Sequence, residues 1–171
     1  MGKVLAIDYE KCTGCRLCEM VCSVKHDGVS NPERSRIIVV KWEWVGRYVP
    51  ITCQQCQSAP CMEVCPVKAI SRDKALDCVV VADDICIGCR MCVAVCPFGA
   101  MIFDRRAKKV KKCDFCGGEP QCARFCETKA VRYVEASEVS NDKKVAAADR
   151  FAGIMEQVTA AMNKVRSTDR L

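Results

Sequence analysis

The chain has 171 residues, 17 of them cysteine, and a formal net charge of +6 at pH 7. This cysteine content leaves three explanations, namely disulfides, zinc sites or iron–sulfur clusters. The N-terminal segment has no small-residue cleavage site, and no stretch approaches the roughly 18 consecutive apolar residues of a membrane span. We therefore expect no secretory leader, no membrane span and a cytoplasmic location, where reducing conditions make disulfides rare.

The positive net charge counts every cysteine as neutral. Sixteen thiolates around four dicationic cluster cores would more than cancel it, so we expect no nucleic-acid partner. The basic residues before the last cysteine group are expected to form a solvated edge that moderates the charge of clusters or of a partner. These residues are Lys108, Lys109, Lys111 and Lys112.

Sixteen of the cysteines form four groups that repeat along the chain. In groups one and three, the intervals between successive cysteines are two, two and three residues; the second interval widens to four in group two and to five in group four. Each group is expected to begin as a loop and to continue as a short helix after its third cysteine. The groups are Cys12, Cys15, Cys18 and Cys22; Cys53, Cys56, Cys61 and Cys65; Cys86, Cys89, Cys92 and Cys96; and Cys113, Cys116, Cys122 and Cys126.

Short strand-like runs lie between these groups. Residues 4–7 precede group one, residues 78–81 precede group three, residues 100–103 follow group three, and residues 130–134 follow group four. The longest candidate strand covers residues 36–45. Its even positions share one face, and they are Ile38, Val40, Trp42 and Trp44.

The composition changes after Val134, where cysteine disappears and Ala, Lys, Asp and Glu become frequent. Asn141 or Asp142 is a candidate helix cap. Apolar residues then recur at spacings of three and four, which predicts an amphipathic helix. The stripe comprises Ala148, Phe151, Met155, Val158, Met162 and Val165. We expect this stripe to be buried against a partner or a second copy of the chain; packing on the chain's own strands is the alternative.

The spacing within each group favours [4Fe-4S] clusters over zinc. Each iron of a cubane needs one soft anionic ligand, and a Cys-x2-Cys-x2-Cys loop can deliver three thiolates to one cluster. A zinc tetrathiolate site instead draws a Cys-x2-Cys pair from each of two loops. Gly14 and Gly88 permit tight turns, and Pro66 and Pro97 match the proline that ends bacterial ferredoxin runs. The sequence therefore predicts four [4Fe-4S] clusters.

The fourth cysteine of each group is expected to ligate a different cluster from the first three, as in two-cluster ferredoxins. The interval between Cys65 and Cys86 fits one hairpin, so groups two and three are expected to pair, and groups one and four to pair around them. Pairing one with two and three with four is the alternative, which the long insertion between groups one and two disfavours. In the nested scheme, set one is Cys12, Cys15, Cys18 and Cys126; set two is Cys53, Cys56, Cys61 and Cys96; set three is Cys86, Cys89, Cys92 and Cys65; and set four is Cys113, Cys116, Cys122 and Cys22.

The expected fold class is α+β, with two ferredoxin-like modules around the four clusters and a C-terminal amphipathic helix. Residues 1–135 would form the cluster domain, in which residues 50–104 are the inner module and groups one and four build the outer module. Residues 136–171 would form the tail. Metal binding is expected to drive folding, because so many loops leave little apolar core.

The segments CEMVCSVKHDG, NPERSRI, CIGCRMCVAVCPFGAMIF and KKCDFCGG resemble the four-cluster electron-transfer subunits of molybdenum and tungsten oxidoreductases. The resemblance covers residues 1–135 and is strongest to the small polyferredoxin subunits of tungsten aldehyde oxidoreductases and benzoyl-CoA reductases. It implies paired ferredoxin modules, the nested ligation above and no catalytic residues in this chain. Glu127 departs from the family, because a proline commonly follows the last cysteine.

The resemblance also implies partners. A catalytic subunit would hold the tungsten or molybdenum cofactor, and a flavin-containing or other redox subunit would exchange electrons with this chain. The alternatives are a freely diffusing ferredoxin, a self-assembling protein, or a subunit of a formate dehydrogenase, hydrogenase or benzoyl-CoA reductase complex.

Four further residues lie outside the cysteine groups, and each has two interpretations. Cys78 is expected to be a buried strand residue rather than a spare ligand or redox switch. His26 lies outside every cysteine spacing, so a surface or packing role is expected rather than a role as ligand or proton relay. Trp42 and Trp44 are expected either to anchor a partner or to pack a hairpin face.

Overall fold

A computed structural model describes residues 2–141, 144–145, 148–149, 153 and 155–156. The contacts within the chain divide it into two units, one of Gly2–Val134 and one of Glu135–Leu171 with Met1. All four cysteine groups lie in the first unit. No helix in the described part is long and apolar enough to cross a membrane.

Eight short strands pair into four two-stranded sheets among the described residues. Three sheets are antiparallel hairpins of consecutive strands, and in the fourth the first strand lies beside the last. The pairing of the first and last strands brings the two ends of the cysteine-rich unit together. The strands are β1 (Lys3–Ile7), β2 (Ile38–Trp42), β3 (Arg47–Ile51), β4 (Ile70–Asp73), β5 (Cys78–Val81), β6 (Ile102–Asp104), β7 (Lys109–Lys111) and β8 (Val131–Glu135).

The four α-helices of the first unit share one relation to the cysteines. Each begins one residue before the third cysteine of its group, so the first two cysteines precede the helix; they lie in a loop in groups one to three, whereas in group four Cys116 lies in the 3-10 turn Phe115–Gly118. The helices are α1 (Leu17–Asp27), α2 (Pro60–Glu63), α3 (Met91–Val95) and α4 (Gln121–Arg124). The predicted order of loop and short helix is confirmed.

Gly14 and Gly88 turn the loops of groups one and three, as predicted. Their φ angles are +72° and +70°, in the left-handed region that favours glycine. A Cβ added at Gly14 would lie 2.6 Å from Cδ1 of Tyr48, and one at Gly88 would overlap the carbonyl oxygen of Lys108. Both loops therefore need glycine for its conformation and for its size.

The predicted strand over residues 36–45 is shorter in the structure. β2 ends at Trp42, a 3-10 turn covers Glu43–Val45, and Gly46 with φ of +61° leads into β3. β3 escaped prediction because Pro50 lacks the N–H of a regular strand residue. Its register partner Val39 donates its own N–H to the buried Glu19 carboxylate, 2.6 Å away.

The side chains of β2 divide between two environments, as period-two alternation requires. Val39 is buried, whereas Ile38, Val40 and Trp42 are 42%, 38% and 39% exposed. Trp44 lies in the turn beyond β2 and is 83% exposed, so it does not continue the predicted face. The even positions of β2 therefore form an outer face.

The buried core of the first unit consists largely of cysteines and small apolar residues. One core region, here called the junction core, contains Cys78, Cys113 and Phe115, with Cys53 packed against it. It joins group two to group four. Cysteines line every core region among the described residues, so bound metal would form part of the buried core and contribute to folding.

In the second unit, residues 136–141 are helical, as are the described residues between 144 and 156. Ala148 and Met155 of the predicted apolar stripe fall on described positions and are exposed. The remaining stripe residues, Phe151, Val158, Met162 and Val165, and the alternative cap Asp142 lie outside the described residues. The amphipathic tail helix stays a prediction.

Candidate iron–sulfur sites

The thiols of set two line one cavity. Cys53 and Cys56 come from the group-two loop, Cys61 from the start of α2, and Cys96 from the end of α3. The cavity has about 360 Å³ of empty space including its mouth. Three cysteines from one group and the fourth from another thus converge on one space.

Sets one and three repeat this arrangement. The thiols of set one line a cavity of about 330 Å³, which the buried side of the β2–β3 hairpin covers with Val39 and Pro50. The thiols of set three line a cavity of about 280 Å³ between group three and Cys65. Each of the three volumes includes the open mouth of its cavity, and each cavity is lined by the four thiols of one set.

The thiols of set four meet where α1 packs against α4. Cys22 of α1 and Cys122 of α4 are buried in the same core region. Burial raises the pKa of Cys122 far above its usual value, and the neighbouring thiols of Cys113, Cys22 and Cys116 raise it further. The structure therefore brings Cys22 to group four, and the alternative pairing would require it beside group two.

Burial also raises the pKa of further thiols in sets one, three and four. The pKa of Cys18 rises to about 12, and those of Cys92 and Cys113 rise to about 11, with burial as the largest cause in each case. Such thiols stay protonated at neutral pH unless a cation is bound. All 17 cysteines are free of disulfides, so the sets offer soft ligands that would release protons when they bind metal.

Backbone N–H groups point at three of the candidate ligands. Arg36 N donates to Cys22 Sγ at 3.3 Å, Gln55 N to Cys53 Sγ at 3.5 Å, and Val131 N to Cys126 Sγ at 3.4 Å. Hydrogen bonds of this kind stabilise anionic sulfur and tune cluster potentials. Sets one, two and four each have at least one such donor among the described residues.

Two buried polar atoms also indicate that an anionic group would bind beside these thiols. Among the described residues, Arg36 Nε and Thr52 Oγ1 are the buried side-chain nitrogen and oxygen atoms that lack a hydrogen-bond partner. The Thr52 hydroxyl lies close enough to Cys113 to lower the pKa of that thiol, against the larger effect of burial. A hydroxyl within reach of a set-four thiol fits an anionic cluster, whose sulfurs would accept a hydrogen bond from it.

His26 lies beside set four, a position that sequence reasoning missed. Its Nε2 is 3.5 Å from Cys116 Sγ and 3.4 Å from Asp114 Oδ1, and Arg36 pairs with the same carboxylate at 2.7 Å. His26 follows Cys22 by four residues on α1, and this i, i+4 relation places both on one helix face. That spacing was the signal available in the sequence. His26, Asp114 and Cys116 could together hold a metal ion, but Cys116 belongs to set four.

Cys78 is fully buried in β5 and packs within the junction core. Its Sγ lies 3.9 Å from the Asp114 carbonyl oxygen. The expectation of a buried strand residue is confirmed.

The basic run before group four is not a uniform solvated edge, which corrects the prediction. Lys112 is only 3% exposed. Lys111 is largely buried and pairs with Asp27 at 3.0 Å and with Asp104 at 2.8 Å, an interaction that lowers the pKa of Asp104 to about 2. Lys108 is exposed. Only part of the run therefore faces solvent.

The short strands, the loop-helix cysteine groups and the clustered thiols define a ferredoxin-type iron–sulfur protein. The family model described as "4Fe-4S dicluster domain" matches residues 42–136, and the one described as "4Fe-4S binding domain" matches residues 5–25. The chain belongs to the 4Fe-4S dicluster domain family.

Curated relatives support this assignment. The polyferredoxin-like subunit of aliphatic sulfonate oxidoreductase from Pyrococcus furiosus is 43% identical over 122 residues, which cover 71% of this chain and 70% of the relative. The putative electron transport protein YsaA of Escherichia coli is 36% identical, with 84% and 96% covered. The electron transport protein HydN of Escherichia coli is 37% identical, with 81% and 91% covered.

Among solved structures, a chain of the active site complex BamBC of benzoyl coenzyme A reductase covers 90% of this chain and 96% of its own length, at 27% identity and a TM-score of 0.45. From the curated relatives, this chain is an iron–sulfur electron-transfer protein of the type found in oxidoreductase complexes, and it is not itself the catalytic enzyme. The ferredoxin-type resemblance drawn from the sequence is confirmed.

Proposed function

We propose that the chain relays electrons through four [4Fe-4S] clusters between a catalytic oxidoreductase subunit and a second redox subunit or acceptor in the cytoplasm. The observation that carries this proposal is the gathering of the thiols into four sets, each with three cysteines from one group and one from another. Each cluster, when bound, supplies one-electron redox chemistry. The chain's own part is to hold the clusters, space them and set their electrostatic surroundings.

The order of the relay follows from which sets share structure. Sets one and four share one core region, in which Cys18 and Cys126 of set one pack against Cys22 and Cys122 of set four. Sets two and three share α2 and α3, whose cysteines occupy one core region. The junction core places Cys53 of set two beside Cys113 of set four. We infer the order cluster one, cluster four, cluster two, cluster three.

The two ends of this order are the places where electrons can enter and leave. Two of the sixteen candidate ligands are exposed, Cys15 in set one and Cys89 in set three. Exposed apolar side chains lie near both ends, with Ile87 beside Cys89 and the outer face of β2 on the hairpin that covers set one. Large exposed apolar side chains are suited to contact with partner subunits.

The partners belong to the same proposal. A tungsten or molybdenum subunit of the aldehyde oxidoreductase type would exchange electrons at one end, and a flavin-containing subunit at the other. The Pyrococcus furiosus relative, named as a subunit of an oxidoreductase, supports a large catalytic partner. Residues 136–171, which carry the apolar stripe, would bind such a partner or a second copy.

The test begins with the protein purified without oxygen. About sixteen iron and sixteen sulfide per chain are expected, with zinc absent. Electron paramagnetic resonance during reductive titration should resolve four signals, and a catalytic subunit should co-purify with the chain. Zinc without labile sulfide would overturn the proposal, and a full cluster content without any stable partner would favour a diffusing ferredoxin. Deletion after residue 141 should release the bound partner or second copy. The particle mass should then fall by far more than the deleted residues account for, while the iron content stays unchanged.

A further inference from the structure

Lys112 places a buried positive charge at the point where group two meets group four. Its side chain is 3% exposed, and its ammonium donates to three acceptors. These are the Val79 carbonyl of β5, the Cys113 carbonyl at 2.8 Å and Gln55 Oε1 at 3.1 Å. All three ammonium protons have a partner, so the position of the charge is fixed.

Gln55 completes this network from the group-two loop. Its Nε2 donates to the Cys113 carbonyl at 2.8 Å, and its Oε1 also accepts from Val79 N at 2.8 Å. The backbone of Gln55 has φ of +49°, which costs a non-glycine residue energy. The side-chain bonds hold the loop in that conformation and tie it to the first cysteine of group four.

The acceptors around Lys112 are neutral. Among the described residues, no carboxylate forms a salt bridge with its ammonium. A buried charge without a counter-ion is costly, and the anions that could compensate it are the thiolates of neighbouring sets. The ammonium contacts both sides of the junction, because it donates to Gln55 of the group-two loop and to the carbonyl of Cys113 in group four.

We propose that Lys112 is an electrostatic control residue for electron transfer between cluster two and cluster four. This inference rests on the proposed relay. In the transfer step, one electron leaves the reduced cluster on one side and enters the oxidised cluster on the other, with no proton moved and no bond broken. The ammonium attracts that electron on both sides, so it raises the reduction potentials of clusters two and four together and keeps them matched.

Matching matters because two anionic clusters at close range repel. An electron on cluster four raises the energy of an electron on cluster two by direct Coulomb interaction, which is strong in a buried region. A fixed cation between them offsets this repulsion for both. The cysteines of sets one and three provide no acceptor to the Lys112 ammonium among the described residues, so the potentials of clusters one and three should depend less on it.

The experiment compares Lys112→Met with Lys112→Arg, which keeps the charge, and with Lys74→Met. Lys74 is exposed in the β4–β5 turn, so its variant makes the same charge change away from the junction. Midpoint potentials are measured by electron paramagnetic resonance on the whole protein with its clusters. Signals are assigned from variants of Cys61 and Cys122 to serine.

Lys112→Met should lower the potentials of clusters two and four, each by a tenfold or greater change in the reduction equilibrium, which is about 59 mV for one electron. Lys112→Arg and Lys74→Met should leave all four signals close to the wild-type values. Unshifted signals from clusters two and four in a fully loaded Lys112→Met protein would overturn the inference while leaving the relay intact. Absence of four clusters in the wild type would instead remove the relay itself.

A second variant decides the matter if Lys112→Met fails to hold iron. Gln55→Glu sets a carboxylate against the ammonium, so it neutralises the field while keeping the side-chain length. The same two potentials should fall. An unchanged pair of potentials in Gln55→Glu would show that the charge at residue 112 does not reach the clusters.

Discussion

The regular cysteine groups and the widened ones serve different parts of the molecule. Groups one and three have the short spacing and a glycine turn, and each presents an exposed second cysteine, Cys15 or Cys89. Groups two and four have longer second intervals and meet at the junction core, where Cys113 is 8% exposed. A tight loop thus leaves one of its thiols exposed at the surface. A longer loop carries side chains such as Gln55 that tie one module to the other.

The largest difference between these regions should come from changing the fourth cysteines of groups one and four, each of which is expected to ligate the other group's cluster. Cys22→Ala should remove the cluster at the buried junction, and Cys126→Ala the cluster near the surface, each with a loss of about four iron per chain. The Cys22→Ala variant should also unfold more easily, because Cys22 lies on α1 and is buried where α1 packs against α4. Iron analysis, electron paramagnetic resonance and thermal unfolding measure both effects.

The reference variants for this pair are Cys122→Ala and Cys12→Ala. The spectrum of Cys22→Ala should match that of Cys122→Ala, and the spectrum of Cys126→Ala should match that of Cys12→Ala. A Cys22→Ala spectrum that matched Cys12→Ala would show that group one keeps its own fourth cysteine, contrary to the nested scheme.

A smaller loss of stability should follow from Gly88→Ala in a regular group. The new Cβ would meet the Lys108 carbonyl at a φ of +70°, so overpacking should add about 1–3 kcal/mol to the conformational penalty. Gly28→Ala is the matched control, because its φ is also +70° but nothing lies within 4 Å of the new Cβ. The denaturant concentration at which cluster absorbance is lost should fall further for Gly88→Ala. Equal losses in the two variants would contradict the close approach.

His26→Leu should change the free energy of reducing cluster four by about 1 kcal/mol, the size of one hydrogen bond. A cluster-bound thiolate can only accept, so the variant would remove the ring N–H that donates to Cys116 Sγ, 3.5 Å from His26 Nε2, and the reduction potential of cluster four should fall. His26→Gln keeps an N–H donor and should restore part of the potential. If both variants shift the potential equally, packing rather than the hydrogen bond is responsible.

The smallest effect on stability should come from Trp44→Ser at the end that carries cluster one. Trp44 is 83% exposed, so unfolding should change by less than about 0.5 kcal/mol and the iron content should not change. Binding to a co-purified catalytic subunit should weaken if this end is a docking site. Phe98→Ser, at an exposed residue that lines the set-two cavity, offers a comparison away from this end. Equal binding by both variants would separate Trp44 from the interface.

The convergence of thiols on common cavities could be anticipated because short loops limit where three cysteines can point, and because strand and hairpin lengths limit which groups can pair. The assignment of these thiols to four clusters stays a prediction. The first and last strands were predictable from their apolar runs. β3 was not, because Pro50 interrupts its pattern and because its partner's N–H is satisfied by Glu19 from α1. Local sequence does not show that compensation.

Lys112 is the clearest case of a residue whose position could not be read from the sequence. It stands in the run KKVKKC, which resembles a solvated face. Its acceptors include the carbonyl of Val79, which is 33 residues away in the chain, and the amide of Gln55, which is 57 residues away. Burial of a lysine against distant carbonyls is a property of the tertiary structure, and no local periodicity encodes it.

The meeting of α1 with α4 has a consequence for biosynthesis. Chains emerge N-terminus first and fold in units during synthesis. The thiols of the inner module are complete once residue 96 has been made, whereas the group-one thiols must wait for residues 113–126 before their neighbours exist. During most of translation, Cys12, Cys15, Cys18 and Cys22 therefore lack the thiols that complete their sets, and they are accessible to oxidants and to other metal ions. The inner module should therefore load its clusters first, and the earliest-made cysteines should be the last to be protected.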